Sequence, residues 1–187
     1  MGGTFDPIHI GHLVCASEVA YALALDEVVF VPAGLPWQKE GKAISPAEDR
    51  YEMARLATKD DPRFSVSRME IDRPGRTFTV DTLRELKDDE TELFFVTGAD
   101  ALAQVLTWRD PAALFELATF VGATRPGYAV DTAAFPPGAV MLVDTPALDV
   151  SATECRSRVA RGAPITYLVP PDVETYISAR GLYRDGA

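Results

Sequence analysis

The chain has 187 residues, 47% of them hydrophobic, and a formal net charge of −10. This length suits a single domain, and the composition excludes extensive disorder. The negative charge argues against nucleic acids and anionic membranes as partners, because both bind basic surfaces, and no apolar run is long enough to span a bilayer. We therefore expect one domain over residues 1–187 without a nucleic-acid or membrane partner, while small anionic substrates are not excluded.

The two cysteines, Cys15 and Cys155, lie in helix-like stretches and show no spacing typical of a zinc site. No secretory segment is recognisable before them. We expect both thiols to be buried in a protein of the cytoplasm. The sequence predicts no oligomeric state.

Short apolar runs alternate with amphipathic stretches along the chain. Each run is too short for a helix, is rich in valine or phenylalanine, and lacks a two-residue alternation, as expected of strands buried on both faces. The strands predicted in this way are 27–32, 64–67, 92–98, 119–124 and 140–143. Strands that alternate with helices predict an α/β fold with a doubly wound parallel sheet.

Signals for helix starts lie between these runs. The segment Ser45-Pro46-Ala47-Glu48 is typical of a capping box with proline at the first helical position, and Asp110-Pro111 marks the start of another helix. A last helix is expected to end at Gly181. The predicted fold therefore has a short helical C-terminal part over residues 151–187.

The first twelve residues, MGGTFDPIHIGH, combine glycines, histidines and the start of a predicted helix. Gly2 and Gly3 allow a tight turn and let a ligand approach the backbone. A helix that begins near Gly11 offers free N–H groups to an anion, and His9 and His12 lie within reach of the same phosphate. Because only Met1 precedes Gly2, the first strand is either very short or begins upstream. We interpret this stretch as a phosphate-binding site.

Three other interpretations of the stretch are weaker. A dinucleotide-binding dehydrogenase would show G-x-G-x-x-G and an acidic residue after the second strand, which here ends in FVPAG. A zinc site built on His9 and His12 lacks a third ligand at a suitable spacing. A purely structural histidine pair would not need to lie beside glycines at a helix start.

The stretch GGTFDPIHIGH resembles the H-x-G-H signature of the nucleotidyltransferase superfamily, which implies a Rossmann-like fold. Other segments are similar to bacterial nicotinate-nucleotide adenylyltransferases, follow the order of that family and cover nearly the whole chain. They are TFTVDTL at 77–83, TGADAL at 97–102 with WR at 108–109, RPGY at 125–128, VSATECRSRV at 150–159 and YLVPPDVETYISARGLYR at 167–184.

The resemblance implies a reaction. AMP is transferred from ATP to nicotinate mononucleotide, which gives nicotinate adenine dinucleotide and pyrophosphate in NAD biosynthesis. A nicotinamide-nucleotide or phosphopantetheine adenylyltransferase, and a nucleotide-binding regulator without catalysis, are the alternatives. The attacking phosphate is mostly ionised at neutral pH, since its second pKa is about 6, so no general base is needed.

The resemblance also implies roles for single residues. Catalytic roles are expected for His9, His12, Lys39 and Arg156. ATP is expected to contact Gly2, Gly3, Thr4, Phe5, His12, Gly98, Asp100, Ser151, Thr153 and Arg156. Nicotinate mononucleotide is expected to contact Lys39, Thr79, Trp108, Arg109 and Arg125. The chain departs from the family pattern at Gln38, where histidine is common, and at Ala152, where serine is common.

Three of these expectations are specific enough to compare with a structure. Trp108 lies in a polar context, LTWRD, which favours an exposed ring that stacks on the pyridine ring of the substrate. Ser151 or Thr153 is expected also to cap the helix that follows. Mg²⁺ is expected on the ATP phosphates, with no protein residue as a direct ligand and with Asp6 contacting a metal-bound water.

Overall fold

The computed structural model describes residues 1–36, 41, 43–124 and 130–184. Its strands are β1 Gly2–Gly3, β2 Val28–Pro32, β3 Leu35–Pro36, β4 Phe64–Val66, β5 Arg76–Thr77, β6 Phe94–Gly98, β7 Thr119–Thr124 and β8 Val140–Asp144. Its helices are α1 Ile10–Ala22, α2 Ala47–Thr58, α3 Met69–Asp72, α4 Thr79–Leu86, α5 Ala99–Leu102, the 3₁₀ helix Val105–Thr107, α6 Pro111–Leu117, α7 Ala152–Ala160 and α8 Pro171–Arg180.

The strands form parallel ladders. One has the order β1-β2-β4, with Gly2 opposite Val31, and a second has the order β6-β7-β8, with Phe95 opposite Phe120. The two-strand ladder β3-β5 is parallel as well. β6 lies beside β1, since a Cβ atom on Gly2 would lie 3.2 Å from the Phe95 ring. The predicted α/β fold with parallel strands is confirmed.

All five predicted strands form, with ends that differ by at most two residues from the expected ones. The first strand is the two residues Gly2–Gly3. The sequence did not predict β3, β5, α3, α5 or the 3₁₀ helix, because segments of two to four residues are too short to carry a periodic pattern. The longer α4 was not predicted either.

The helix that follows the opening turn is anchored on two sides. Ala16 and Ala20 of α1 lie in an apolar cluster with Phe30 of β2. Cys15 and Val19, on another side of the same helix, lie in a second cluster with β6 and β7. α7 and α8 belong to the first cluster through Cys155 and Ile177. α1 is therefore packed against strands of both three-strand ladders.

Both cysteines are free and buried, as predicted. Burial raises the pKa of Cys15 to about 11 and raises the pKa of Cys155 as well, so neither thiol is reactive at neutral pH. None of the helices described here is both long and apolar enough for a membrane span.

The predicted capping box at Ser45 is wrong. α2 begins at Ala47, and no side chain caps it. The Ser45 backbone N–H donates to Asp6 Oδ2 at 3.2 Å, while Glu48 forms an ion pair with Arg68 at 2.7 Å. Partners distant in the sequence have replaced the local bonds that the motif requires. The helix end at Gly181, with φ of 63°, is confirmed.

α6 begins after Asp110, as predicted. The Asp110 carboxylate does not cap the helix, because it forms an ion pair with Arg84 at 2.6 Å. A proline at the first helical position was therefore the informative signal.

Candidate active site

The turn after β1 is built from a glycine and a buried ring. Phe5 is 3% exposed and lies in the left-handed backbone region, with φ of 52°. Its ring packs against His12 and Phe30, with centroid distances of 5.1 and 5.7 Å. A Cβ atom on Gly3 would lie 2.8 Å from this ring, so only glycine fits there. The backbone of residues 3–5 therefore lies next to the start of α1.

The two histidines stack on each other at the N-terminus of α1. Their ring centroids are 3.7 Å apart, with an interplanar angle of 26°. The backbone N–H of His9 donates to Nδ1 of His12 at 3.1 Å. Since Nδ1 of His12 is an acceptor, the proton of its neutral ring lies on Nε2, which can donate to a ligand.

Both imidazoles are neutral at pH 7. Burial lowers the pKa of His9 to about 4. Burial, followed by repulsion from His9, lowers the pKa of His12 to about 3. In the absence of ligand the rings therefore act as hydrogen-bonding groups and not as cations.

Only some of the first backbone N–H groups of α1 make hydrogen bonds within the part of the chain that the structure describes. The Ile10 N–H donates to the Leu168 carbonyl and the His12 N–H to the His9 carbonyl, both at 2.9 Å. Among the described residues, the Gly11 N–H has no hydrogen-bond partner, and neither does the buried Nδ1 of His9. These groups, next to the positive end of the helix dipole, form a place for an anionic oxygen.

The histidines line a cavity of about 360 Å³. Gly98 and Asp100 line the same cavity; Gly98 ends β6, and Asp100 lies in the first turn of α5. The structure therefore brings the predicted catalytic residue His9 together with three residues predicted to contact ATP, as expected at the carboxyl end of a parallel strand.

Arg156 links α7 to the opening turn. Its guanidinium donates to the Asp6 carbonyl at 2.7 Å and to the Thr153 hydroxyl at 3.4 Å. Ser151 caps α7, since its hydroxyl accepts the Glu154 N–H at 3.1 Å, and the predicted capping role is confirmed. Ser151 and Thr153 are exposed, and neither they nor Arg156 line the histidine cavity.

A second cavity, of about 820 Å³, is also lined by β1. Five of its lining residues have predicted substrate contacts: Gly2 and Gly3 of β1, Thr4 after it, Thr79 at the start of α4, and Trp108. Met1 lines both cavities, so they are neighbours at β1.

Trp108 is less exposed than its sequence context suggested. It is half-buried, and its ring meets Phe95 and Phe120 edge-on, with centroid distances of 5.9 and 6.5 Å. Its Nε1 is buried without a hydrogen-bond partner among the described residues. The apolar neighbours, which are distant in the sequence, outweigh the polar context of LTWRD.

Arg109 is exposed and lines neither cavity. Its guanidinium lies 4.6 Å from the centre of the Phe78 ring. The backbone N–H groups of Thr79 and Arg109 make no hydrogen bonds to residues that the structure describes. They remain candidates for binding a carboxylate. Lys39 and Arg125, together with Gln38 and Lys42, lie outside the described residues.

Asp6 does not have the role expected of it. It is 4% exposed, Oδ1 accepts the Tyr183 hydroxyl at 2.7 Å, and Oδ2 accepts the Ser45 N–H. Both oxygens are used within the protein, which corrects the expectation that Asp6 contacts a metal-bound water. Over the described ranges, no group of three or more His, Cys, Asp or Glu residues could hold a metal ion.

Two residues near the site were not predicted from the sequence: Arg50, a buried residue of α2 that contacts the opening turn, and Tyr183. A signal for Arg50 existed, because it lies three and four residues before the buried apolar pair Met53 and Ala54. A charged residue on the buried face of a helix indicates a buried polar contact. Tyr183 carried no comparable signal.

The model of the cytidylyltransferase-like family matches residues 1–158. A Streptomyces coelicolor protein is 61% identical over 98% of this chain and 99% of its own length, and a Kineococcus radiotolerans protein is 60% identical over 98% and 89%. Both are named probable nicotinate-nucleotide adenylyltransferase.

Solved structures agree in fold. The Plasmodium falciparum nicotinic acid mononucleotide adenylyltransferase, complexed with NaAD, superposes with a TM-score of 0.80 at 20% identity, over 97% of this chain and 94% of that one. A putative nicotinate-nucleotide adenylyltransferase from Vibrio parahaemolyticus has a TM-score of 0.71 at 18% identity, with 98% and 93% covered.

The chain belongs to the cytidylyltransferase-like family, a class of nucleotidyltransferases. Within that class it belongs with the nicotinate-nucleotide adenylyltransferases, to which it is 55–61% identical over nearly its full length. The resemblance found in the sequence is thereby confirmed.

Proposed function

We propose that the chain transfers AMP from ATP to nicotinate mononucleotide. The observation that carries this proposal is the pair of stacked, neutral histidines at the start of α1, with an unpartnered Nδ1 on His9 and a free Gly11 N–H beside it. A neutral donor set at a helix N-terminus suits a polyphosphate. A second cavity next to it leaves room for a second substrate.

The proposed reaction needs position and charge stabilisation more than proton transfer. A phosphate oxygen of the mononucleotide attacks the α-phosphorus of ATP, the new P–O bond forms, and the bond from the α-phosphorus to the bridging oxygen of pyrophosphate breaks. Negative charge grows on the equatorial and leaving oxygens, where N–H donors that are already in place stabilise it. In this role His9 and His12 donate hydrogen bonds without accepting a proton.

For ATP, we place the phosphates against His9, His12 and the backbone of the opening turn, Gly2 to Phe5. Ser151, Thr153 and Arg156 would hold the phosphate that leaves, at the start of α7. Gly98 would allow close approach, and Asp100 would bind the ribose from the end of β6. The shared cavity of the histidines and Asp100 supports this arrangement.

For nicotinate mononucleotide, we place the pyridine ring against Trp108 and its carboxylate on the N–H groups of Thr79 and Arg109. A carboxylate accepts hydrogen bonds only, whereas an amide also donates them, so a site with donors alone favours the acid. Lys39 and Arg125 remain candidates for the phosphate of this substrate, on sequence grounds alone.

We propose that Mg²⁺ arrives with ATP and keeps several waters, as it usually does on nucleotide phosphates. The donor set supports this, because Asp6 is occupied by Tyr183 and Ser45. We also propose one domain over residues 1–187, supported by the cluster that joins α1, α7 and α8, and a location in the cytoplasm, which suits two free buried thiols.

One assay tests the proposed function. The protein is incubated with ATP, Mg²⁺ and, separately, nicotinate mononucleotide, nicotinamide mononucleotide or phosphopantetheine, and pyrophosphate and the nucleotide product are measured. We expect nicotinate adenine dinucleotide, and a kcat/KM for the acid at least tenfold above that for the amide. No pyrophosphate with any acceptor would indicate a binding protein, and a preference for another acceptor would reassign the substrate.

A further inference from the structure

A buried arginine outside both cavities contacts three loops at once. Arg50, in the first turn of α2, is 1% exposed. Its Nη1 donates to the Thr4 carbonyl at 2.8 Å, its Nη2 to the Gly34 carbonyl at 3.0 Å, and its Nε to the Ser45 carbonyl at 3.0 Å. All three acceptors lie outside helices and strands. The planar fork of a guanidinium can reach three such carbonyls, which a lysine ammonium cannot.

One of the three carbonyls, that of Thr4, belongs to backbone that lines a proposed substrate cavity. Thr4 lies in the opening turn and lines the larger cavity, together with Gly3. Gly34 follows β2, and Ser45 precedes α2, so Arg50 fixes both ends of the segment between them. Arg50 therefore contributes to the positions of these loops relative to one another, beside the bond from the Ala33 N–H to the Gly3 carbonyl.

A second set of bonds connects Arg50 with Arg156. Ser45 donates its N–H to Asp6 Oδ2 and accepts from Arg50 through its carbonyl. Arg156 donates to the Asp6 carbonyl, and Tyr183 to Asp6 Oδ1. The nearby Asp6 carboxylate is buried, as is the Arg50 guanidinium, and its negative charge offsets the positive charge of Arg50. Asp6 is therefore the link between the two arginines.

We propose that Arg50, supported by the Asp6–Tyr183 pair, is a positioning residue that sets the geometry of the opening turn for the reaction proposed above. This inference rests on the proposed function. Arg50 touches no substrate; it acts through the carbonyls of Thr4, Gly34 and Ser45. A shift of about 1 Å in a positioning element can cost on the order of a hundredfold in rate.

The test uses Arg50→Lys, which keeps the charge and loses the fork. Arg55→Gln is the matched control, because Arg55 lies on the same helix, is half exposed and pairs only with Glu52 among the described residues. We expect kcat to fall at least tenfold in Arg50→Lys, with KM for ATP changed less than threefold, and no change beyond twofold in the control. A kcat within twofold of wild type in a folded Arg50→Lys protein would overturn the proposal.

Two further measurements keep the test decisive. Tyr183→Phe keeps the ring and removes the bond to Asp6, so it should fold and lower kcat severalfold; if Arg50→Lys does not fold, an unchanged Tyr183→Phe overturns the proposal. Hydrogen exchange of residues 4–6 and 43–45 should be faster in each folded variant and unchanged in β7. If the wild type makes no dinucleotide, the proposed function fails. Unchanged hydrogen exchange in these loops would separately refute the positioning role of Arg50.

Discussion

The backbone N–H of His9 donates to Nδ1 of His12 at 3.1 Å, and this bond determines which nitrogen of His12 can serve a ligand. Nε2 carries the proton in the neutral ring. The stacked pair is therefore an oriented set of donors, prepared before any nucleotide binds, which is how pre-organised sites stabilise developing charge.

Substitution of His12 should separate the two ring positions. His12→Ala should lower kcat on the order of a hundredfold, the usual cost of one lost donor to transition-state charge. His12→Gln should retain more activity than His12→Asn, because the glutamine amide reaches the position of Nε2. Steady-state kinetics at saturating ATP measure the effect. Near-normal turnover of His12→Ala would remove the residue from the reaction.

Nuclear magnetic resonance can follow both imidazoles directly, since the chain has only two histidines. With pKa values of about 4 for His9 and about 3 for His12, neither ring should titrate between pH 8 and 5.5. Added ATP should raise both pKa values, because a polyanion favours the protonated ring. A ring that titrates near pH 6.5 without ligand would contradict the buried, stacked arrangement.

The same pKa values predict a loss of stability in acid. An unfolded histidine has a pKa of about 6.5, so the unfolded chain binds more protons than the folded one from there down to about pH 4. Stability from the two neutral rings is present above pH 7, and the free energy of unfolding falls by up to about 1.4 kcal/mol per pH unit for each ring. Urea unfolding at pH 7, 6 and 5 measures this change, and the free energy of unfolding should fall less steeply with decreasing pH in His9→Gln. An equal fall in the variant and the wild type would exclude His9 as a source of the pH dependence.

Gly34 should not accept a side chain. A Cβ atom there would collide with the backbone carbonyl of Glu70, which cannot rotate away as a side chain can. Gly34→Ala should therefore lower the free energy of unfolding by about 2 kcal/mol, within the range for overpacking. Gly98→Ala is the control, because φ is −70° and no atom lies within 4 Å of its Cβ position. Equal stability of the two variants would argue against the close approach of these loops.

Trp108→Ala should weaken nicotinate mononucleotide selectively. Its KM should rise about tenfold from lost stacking and cavity shape, while KM for ATP stays within twofold. Trp108→Phe should retain most of the affinity, since an aromatic ring remains at the wall of the cavity. Equal losses for both substrates would indicate that Trp108 acts only through packing.

Asp6→Asn tests whether this carboxylate bonds only within the protein or contacts a metal-bound water. Because both carboxylate oxygens accept bonds within the protein, the variant should be less stable, yet require the same Mg²⁺ concentration for half-maximal activity. The two quantities are measured by urea unfolding and by a Mg²⁺ titration of the assay. A shifted Mg²⁺ requirement without a loss of stability would restore the original expectation.

The sequence predicted most of what depends on local pattern. Strands such as 119–124 and the helix end at Gly181 follow from hydrophobic runs and backbone preference. The hypothesis of a phosphate site rests on glycines and histidines that adjoin in the sequence. These features need no knowledge of distant partners.

What the sequence did not predict depends on contacts between distant segments. The Ser45 N–H donates to Asp6 and not to a cap of its own helix. The Trp108 ring packs edge-on against Phe95, and Arg50 donates to the Thr4 carbonyl, 46 positions earlier in the chain. Composition and periodicity describe one segment at a time. Such pairings therefore become visible only once the fold is known.

The hydrogen bonds from the Ile10 N–H to the Leu168 carbonyl and from the Tyr183 hydroxyl to Asp6 have a consequence for synthesis on the ribosome. Residues 6–10 are synthesised before their partners at positions 168 and 183. The opening turn of a growing chain thus gains both ties only after those partners have been made, and a truncated product that stops before Leu168 would lack them even if its sheet had already formed.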